Sequence, residues 1–290
     1  MISMIANSLV SLTEAVNDLN CTNEHDPVLT SCEAIHKKWP NKPSGYYKIP
    51  DSNGDMQHVY CNMENLCNLE GGWMRIANLN MTQGTSCPTG FRLYTNGGVH
   101  ACGRPVTSSG SCVGKVFSSS GIEYSQVCGK VIGYQVGHPD AAGERVSSIK
   151  NNINTYYADG VSVTHGNPRK HIWTLMSGAT DRSTHYNYKC PCASTGPIPA
   201  PSFVGSNYYC EAGYQGSDFP QHGELYSSDP LWDGKDCGSS ETTCCQSSLI
   251  PWFYKSISDY TTDDIEMRIC CDEGTDDEDV AIEQYDIYVK

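Results

Sequence analysis

The sequence predicts an α+β domain, mostly antiparallel β, disulfide-rich and long-looped, preceded by a short coiled-coil helix. Three observations carry that reading. Sixteen cysteines are spread from Cys21 to Cys271 of a 290-residue chain rich in Gly, Ser and Tyr, the mark of a disulfide framework in an oxidising compartment. Short β-rich runs recur between Ser, Gly, Asn and Pro turns, at Gly114–Phe117, Val127–Tyr134, Gly160–Thr164, His171–Met176 and Asp279–Val289. Ile2, Ile5, Leu9, Leu12, Val16 and Leu19 follow the three-four alternation of a heptad seam.

That seam makes residues 1–20 the end of a coiled-coil stalk through which copies of the chain self-associate. Three heptads are marginal alone, and the competing reading is an amphipathic helix packed on its own domain. Met1 opens a segment with no basic start and no clear cleavage site, so the chain reads as part of a longer secreted protein. Residues 21–30 form a polar linker, and residues 31–290 form one globular domain. Pro-rich Cys190–Pro201 reads as a stapled loop inside that domain.

From Ser31 to Leu79 the elements follow in order. Ser31 caps a helix with Glu33 in its first turn, Pro40 stops it, and Pro43-Ser44-Gly45 turns the chain. Tyr46–Ile49 and Gln57–Tyr60 flank the turn-rich Asp51–Asp55, which predicts a hairpin followed by a buried strand at Trp73. Cys32 before the helix and Cys61 closing the second strand are well placed to bridge the two.

The net charge of −14 argues against nucleic acid or an anionic membrane as the main partner, and no run approaches the length of a membrane span. No HExxH, GxSxG or Walker sequence is present, which argues against an enzyme. The sequons Asn20-Cys21-Thr22 and Asn80-Met81-Thr82 make Asn20 and Asn80 candidate glycosylation sites of a secreted protein.

Chemistry has three candidate locations. Asp229, Asp233 and Asp236 share one loop, where carboxylates and Gly- or Pro-freed carbonyls suit calcium; a structural turn is the alternative. A second acidic run, Asp272–Asp279, reads either as a solvated, self-repelling loop or as a calcium site. His165, Arg169 and His171 lie beside a proline turn as a candidate pocket for an acidic or sugar ligand, while Trp173 reads as core. Zinc is disfavoured, because no CxxC pair recurs at finger spacing.

The ordered pattern SC..I, SGYY.I, VYCNM and GGW resembles the start of fibrinogen C-terminal domains and of the related intelectins. The resemblance implies a calcium loop followed by a cysteine and an aromatic pair, here Asp229–Cys237 and then Pro251-Trp252-Phe253-Tyr254. The acids stand four and three apart, unlike the close D-x-D of that family. Ile265–Ile269 resembles the strand that ends fibrinogen domains, and the tail beyond it leans toward intelectins. Those proteins bind sugar diols through calcium with acids just before the last strand, where Asp277, Asp279 and Glu283 stand. The resemblance thus implies a calcium-dependent, lectin-like recognition module for glycans or acetylated ligands, with Trp252 as an aromatic wall. A structural matrix or adhesion protein that contacts other extracellular proteins is the alternative.

Overall fold

The computed structural model describes residues 28–137, 139, 141, 152–154, 158–181, 200–216, 223–228, 230–233 and 251–290. The heptad segment, Asn20, Asp229, Asp236, and Cys21, Cys190, Cys192, Cys237, Cys244 and Cys245 lie outside them.

Helix α1 (Cys32–Lys38) begins where the sequence places it: the Ser31 hydroxyl accepts from the Ala34 amide at 3.0 Å, and Glu33 and Lys37 pair across one turn. Strands β1 (Gly45–Pro50) and β2 (Met56–Asn62) form the expected hairpin, its loop held by Asp51, whose Oδ1 accepts the Asn53 and Asp55 amides. A disulfide joins Cys32 to Cys61 and so fastens α1 to β2. Gly71 and Gly72 precede β3 (Trp73–Asn80) because a Cβ on Gly71 would meet the Met63 carbonyl oxygen at 2.0 Å; Gly72 adopts φ +90° against Glu33.

Ten further strands follow: β4 (Arg92–Asn96), β5 (Val99–Gly103), β6 (Ser111–Phe117), β7 (Tyr124–Gly137), β8 (Gly160–His165), β9 (Lys170–Asp181), β10 (Tyr208–Gly216), β11 (Trp252–Thr261), β12 (Ile265–Cys271) and β13 (Glu278–Val289). They build two sheets. In the larger, β13 is central: β7 pairs along its whole length on one edge, while β3 and β5 divide the other. The hairpins β1–β2 and β4–β5 extend that sheet at its two ends, and β11 lies beyond β7. The smaller sheet runs β10-β9-β8-β12-β6, antiparallel except for the β9–β10 pair.

The largest apolar cluster draws on both sheets, joining Val127, Val131, Tyr285 and Ile287 to Val161, Val163, Ile265, Met267 and Ile269. Trp173 is core, as expected. Its ring stacks on Phe253 at 4.4 Å and meets Trp232 edge-on at 5.1 Å. Three more disulfides, Cys67–Cys128, Cys87–Cys102 and Cys112–Cys270, pin loops and strands. Among the described residues, Cys271 is the cysteine that forms none, and no helix there is long and apolar enough to cross a membrane.

The Cys32–Cys61 bond closes a loop with a sequence separation of 29 residues. In the chain-entropy account a loop of that size contributes about 3–4 kcal/mol. The double substitution Cys32→Ser/Cys61→Ser is expected to lower unfolding free energy by that amount in a urea titration; a change under about 1 kcal/mol would show that the clasp does not constrain the unfolded chain.

Candidate functional site

The acidic run divides: Asp276 is exposed and Asp272, Glu273 and Asp277 are half-buried, while its last two acids turn inward. Glu278 and Asp279 are about 1 % and 0 % exposed, and Thr275 is buried with them. Beside them lies the guanidinium of Arg104, itself 0 % exposed. Its Nε donates to Asp279 Oδ1 at 2.9 Å. Its Nη1 donates to the Cys271 carbonyl at 3.0 Å and to Ser111, and its Nη2 donates to the Glu273 and Glu278 carbonyls at 3.1 and 2.9 Å. The other Asp279 oxygen accepts from the Tyr94 hydroxyl at 2.8 Å and from the Arg104 amide at 3.2 Å. Burial, followed by the Asp279 charge, raises the Tyr94 phenol far above its ordinary range, so it stays a donor.

Around this ion pair the chain turns tightly. The Gly274 carbonyl accepts the amides of Asp277 and Glu278, and Thr275 exchanges hydrogen bonds with Thr107. A Cβ on Gly274 would come within 3.0 Å of the Ser108 carbonyl carbon and the Thr107 carbonyl oxygen, so the 105–110 loop packs directly on it. Between the two loops lies an open depression of about 710 Å³ lined by Ser108, Ser109, Gly110, Asp272, Glu273, Gly274, Asp276 and Asp277. Four acidic residues and two serines thus contribute to the lining of one basin.

Beneath it sits a second, buried group. Asp159, Cys271 and Glu278 each offer one ligand atom, and the three atoms lie within 4.8 Å of one another. The Asp272 amide donates to Asp159 Oδ1 at 2.9 Å, and the Glu273 amide to Glu278 Oε1 at 3.0 Å, which orients both carboxylates. Burial first, then the Glu278, Asp159 and Asp279 carboxylates, push the Cys271 thiol well up, with Arg104 opposing.

The residues singled out from sequence fall in different places. Asp277 reaches the open depression. Asp279 does not: its oxygens are engaged by Arg104, Tyr94 and the Val280 amide, so it is a core anchor facing away from hydrated ligand chemistry. Glu283 accepts from the Tyr134 hydroxyl at 3.1 Å, and after burial Glu283 and then Asp233 raise that phenol, so these two acids share a separate neighbourhood. His165 Nδ1 lies 2.9 Å from Asp263 Oδ2, with Lys170 at 3.9 Å from the same oxygen. Arg169 forms a bidentate pair with Glu266 at 2.5 and 3.1 Å. His165 and Arg169 thus border two neighbouring recesses, of about 590 and 470 Å³, rather than one pocket. His171 Nε2 meets Thr174 Oγ1 at 2.8 Å, and its ring lies edge-on to Phe203. Trp252 is half-buried under Lys130 and beside Tyr288. Asn80 is exposed at the end of β3, its Oδ1 accepting from Thr82.

Arg104, Asp159 and Tyr94 were not singled out. Ala158-Asp159-Gly160 reads as a turn, and Gly103-Arg104-Pro105 carries no charge pattern; their roles come from partners 175 and 113 residues away. No protein-family model, curated protein or solved structure matches the chain.

Two predictions follow from these environments. Removing one partner of a buried ion pair costs about 3–5 kcal/mol. Arg104→Met is expected to lower the urea unfolding free energy by that much, whereas an effect below about 1 kcal/mol would mean the pair is not structural. His171 is one pH-sensitive group: burial, and secondarily Lys255, depress its pKa from 6.5 to about 4. A depressed histidine contributes its full stability above pH 6.5 and loses it as pH falls from 6.5 towards 4, roughly 3 kcal/mol in all. The urea midpoint of the native chain should fall across that window, and His171→Gln should flatten the slope; parallel curves for both proteins would contradict the assignment.

Proposed function

We propose that this chain is a secreted recognition module that binds glycans or acetylated ligands with the help of calcium, through the basin between the 105–110 and 272–277 loops. The observation that carries the reading is the basin itself: Asp272, Glu273, Asp276 and Asp277 together with Ser108 and Ser109, on a backbone fixed by Arg104 from below. Calcium takes six to eight hard oxygen ligands, and carboxylates, hydroxyls and turn carbonyls are the donors present here. These side chains would hold the ion, which would supply a positive centre for ligand hydroxyls or carboxylates. Soft donors are absent from the lining, so the donor chemistry suits a hard cation.

The kinship with fibrinogen-type domains and intelectins, argued from the Ser31–Leu79 pattern, points the same way and belongs to this proposal. Secretion is supported by the four disulfides between described residues and by the exposed Asn80 sequon. Self-association through residues 1–20 would give weak single sites avidity.

A structural matrix or adhesion role is the second reading, favoured by one feature. On the hairpin at the sheet edge, exposed Tyr46 stacks on His58 at 5.2 Å and meets Tyr60 edge-on at 5.5 Å, with the Arg75 guanidinium over Tyr60. Such aromatic surfaces suit protein contacts.

The two readings part on a glycan array probed with the full chain. Binding should require calcium, vanish with a calcium-selective chelator and weaken about tenfold or more in Asp276→Asn/Asp277→Asn, at unchanged melting temperature. Retention of binding in both conditions would remove the calcium reading. Sugar-independent self-assembly lost on Tyr46→Ser would favour the matrix role.

A further inference from the structure

The buried group beneath the basin differs in chemistry from the basin. Its three donors come from separate segments: Asp159 just before β8, Cys271 at the end of β12 and Glu278 at the start of β13. All three are 2 % exposed or less. A buried anion is costly unless a cation or a set of donors compensates it. The nearby guanidinium, Arg104, spends its hydrogen bonds on Asp279, on Ser111 and on the Cys271, Glu273 and Glu278 carbonyls. Arg104 also acts electrostatically on Cys271 and Glu278, and one sulfur and two carboxylate oxygens from the three segments lie within 4.8 Å of one another.

A thiol is a poor calcium ligand, whereas one sulfur with two carboxylate oxygens suits a borderline-soft divalent ion. Zinc holds sulfur at about 2.3 Å and carboxylate oxygen at about 2.0–2.2 Å, leaving its ligand atoms roughly 3.3–3.7 Å apart in a tetrahedron. The three atoms lie within 4.8 Å of one another and would close on the ion to reach that geometry. The Asp272 and Glu273 amides already donate to the two carboxylates and orient them.

We propose that Asp159, Cys271 and Glu278 form a site with three protein ligands for a thiophilic divalent cation, zinc by preference, which ties β8, β12 and β13 together under the basin. Binding deprotonates the Cys271 thiol, forms one metal–sulfur bond and two metal–oxygen bonds, and releases the proton to solvent. It involves no change of oxidation state. The site is independent of the calcium reading, because its donors are buried and its ligand set includes sulfur.

Zinc-free full-length protein titrated with cobalt(II) provides the test. One equivalent should bind and give a sulfur-to-cobalt charge-transfer band that zinc displaces. Cys271→Ser should lose the band, and Glu278→Gln should change the ligand-field spectrum. Crystals of the unmodified chain grown with zinc answer the question without any variant. An anomalous peak within bonding distance of Cys271 Sγ, Asp159 and Glu278 is expected. No peak there, or a cobalt band that persists in folded Cys271→Ser, overturns the site. A calcium-selective chelator should leave the cobalt adduct intact, and Asp276→Asn/Asp277→Asn should not alter it, so failure of either proposal is read separately.

Discussion

The structure depends on one buried guanidinium. Arg104 follows β5, and its donors reach the start of β6, the end of β12 and the start of β13. Strands β5 and β13 belong to the larger sheet and β6 and β12 to the smaller, so one side chain joins the two sheets at this end. Few groups other than arginine have the geometry to satisfy a carboxylate and several carbonyls at once. Burying the pair carries a desolvation penalty, which the full set of hydrogen bonds offsets. The return is a fixed turn at Gly274 and a fixed seat for the acidic run.

Two kinds of acid chemistry result from neighbouring positions of that run. Asp272, Glu273, Asp276 and Asp277 stay at the rim of an open basin, while Glu278 and Asp279 are drawn inside. Asp279 is neutralised by Arg104, and Glu278 is set against Asp159 and Cys271. The division follows from strand register. Strand β13 starts at Glu278 opposite Gly137, so the acids before it are loop and those after it are sheet.

Much of the fold was legible because the signals are local. The Ser31 cap, the Asp51–Asp55 turn and the Cys32–Cys61 clasp lie within 30 residues of one another. The β-rich runs at 114, 127, 160 and 171 became β6 to β9, each longer in the structure than its strongest apolar stretch. The β4–β5 hairpin around Gly97-Gly98 was not read, because β4 buries only Tyr94 and so shows no clean alternation. Strand β11 continues beyond the Trp252–Tyr254 aromatics into Ser256-Ile257-Ser258-Asp259, where a lone apolar residue sits among polar ones on an outer strand. The site was legible only as an excess of acid. Which acids turn inward depends on the register of β13 against β7 and, for Asp279, on a partner 175 residues away, and no local pattern encodes either.

The claim that Arg104 orders the loop is open to direct measurement by amide hydrogen exchange on the native chain and on Arg104→Met. The account predicts that the amides of Asp272, Glu273 and Glu278, now held by Asp159, Glu278 and Gly274, lose protection in the variant while the β7–β11 ladder keeps its own. Unchanged protection at those three amides in a folded variant would contradict it.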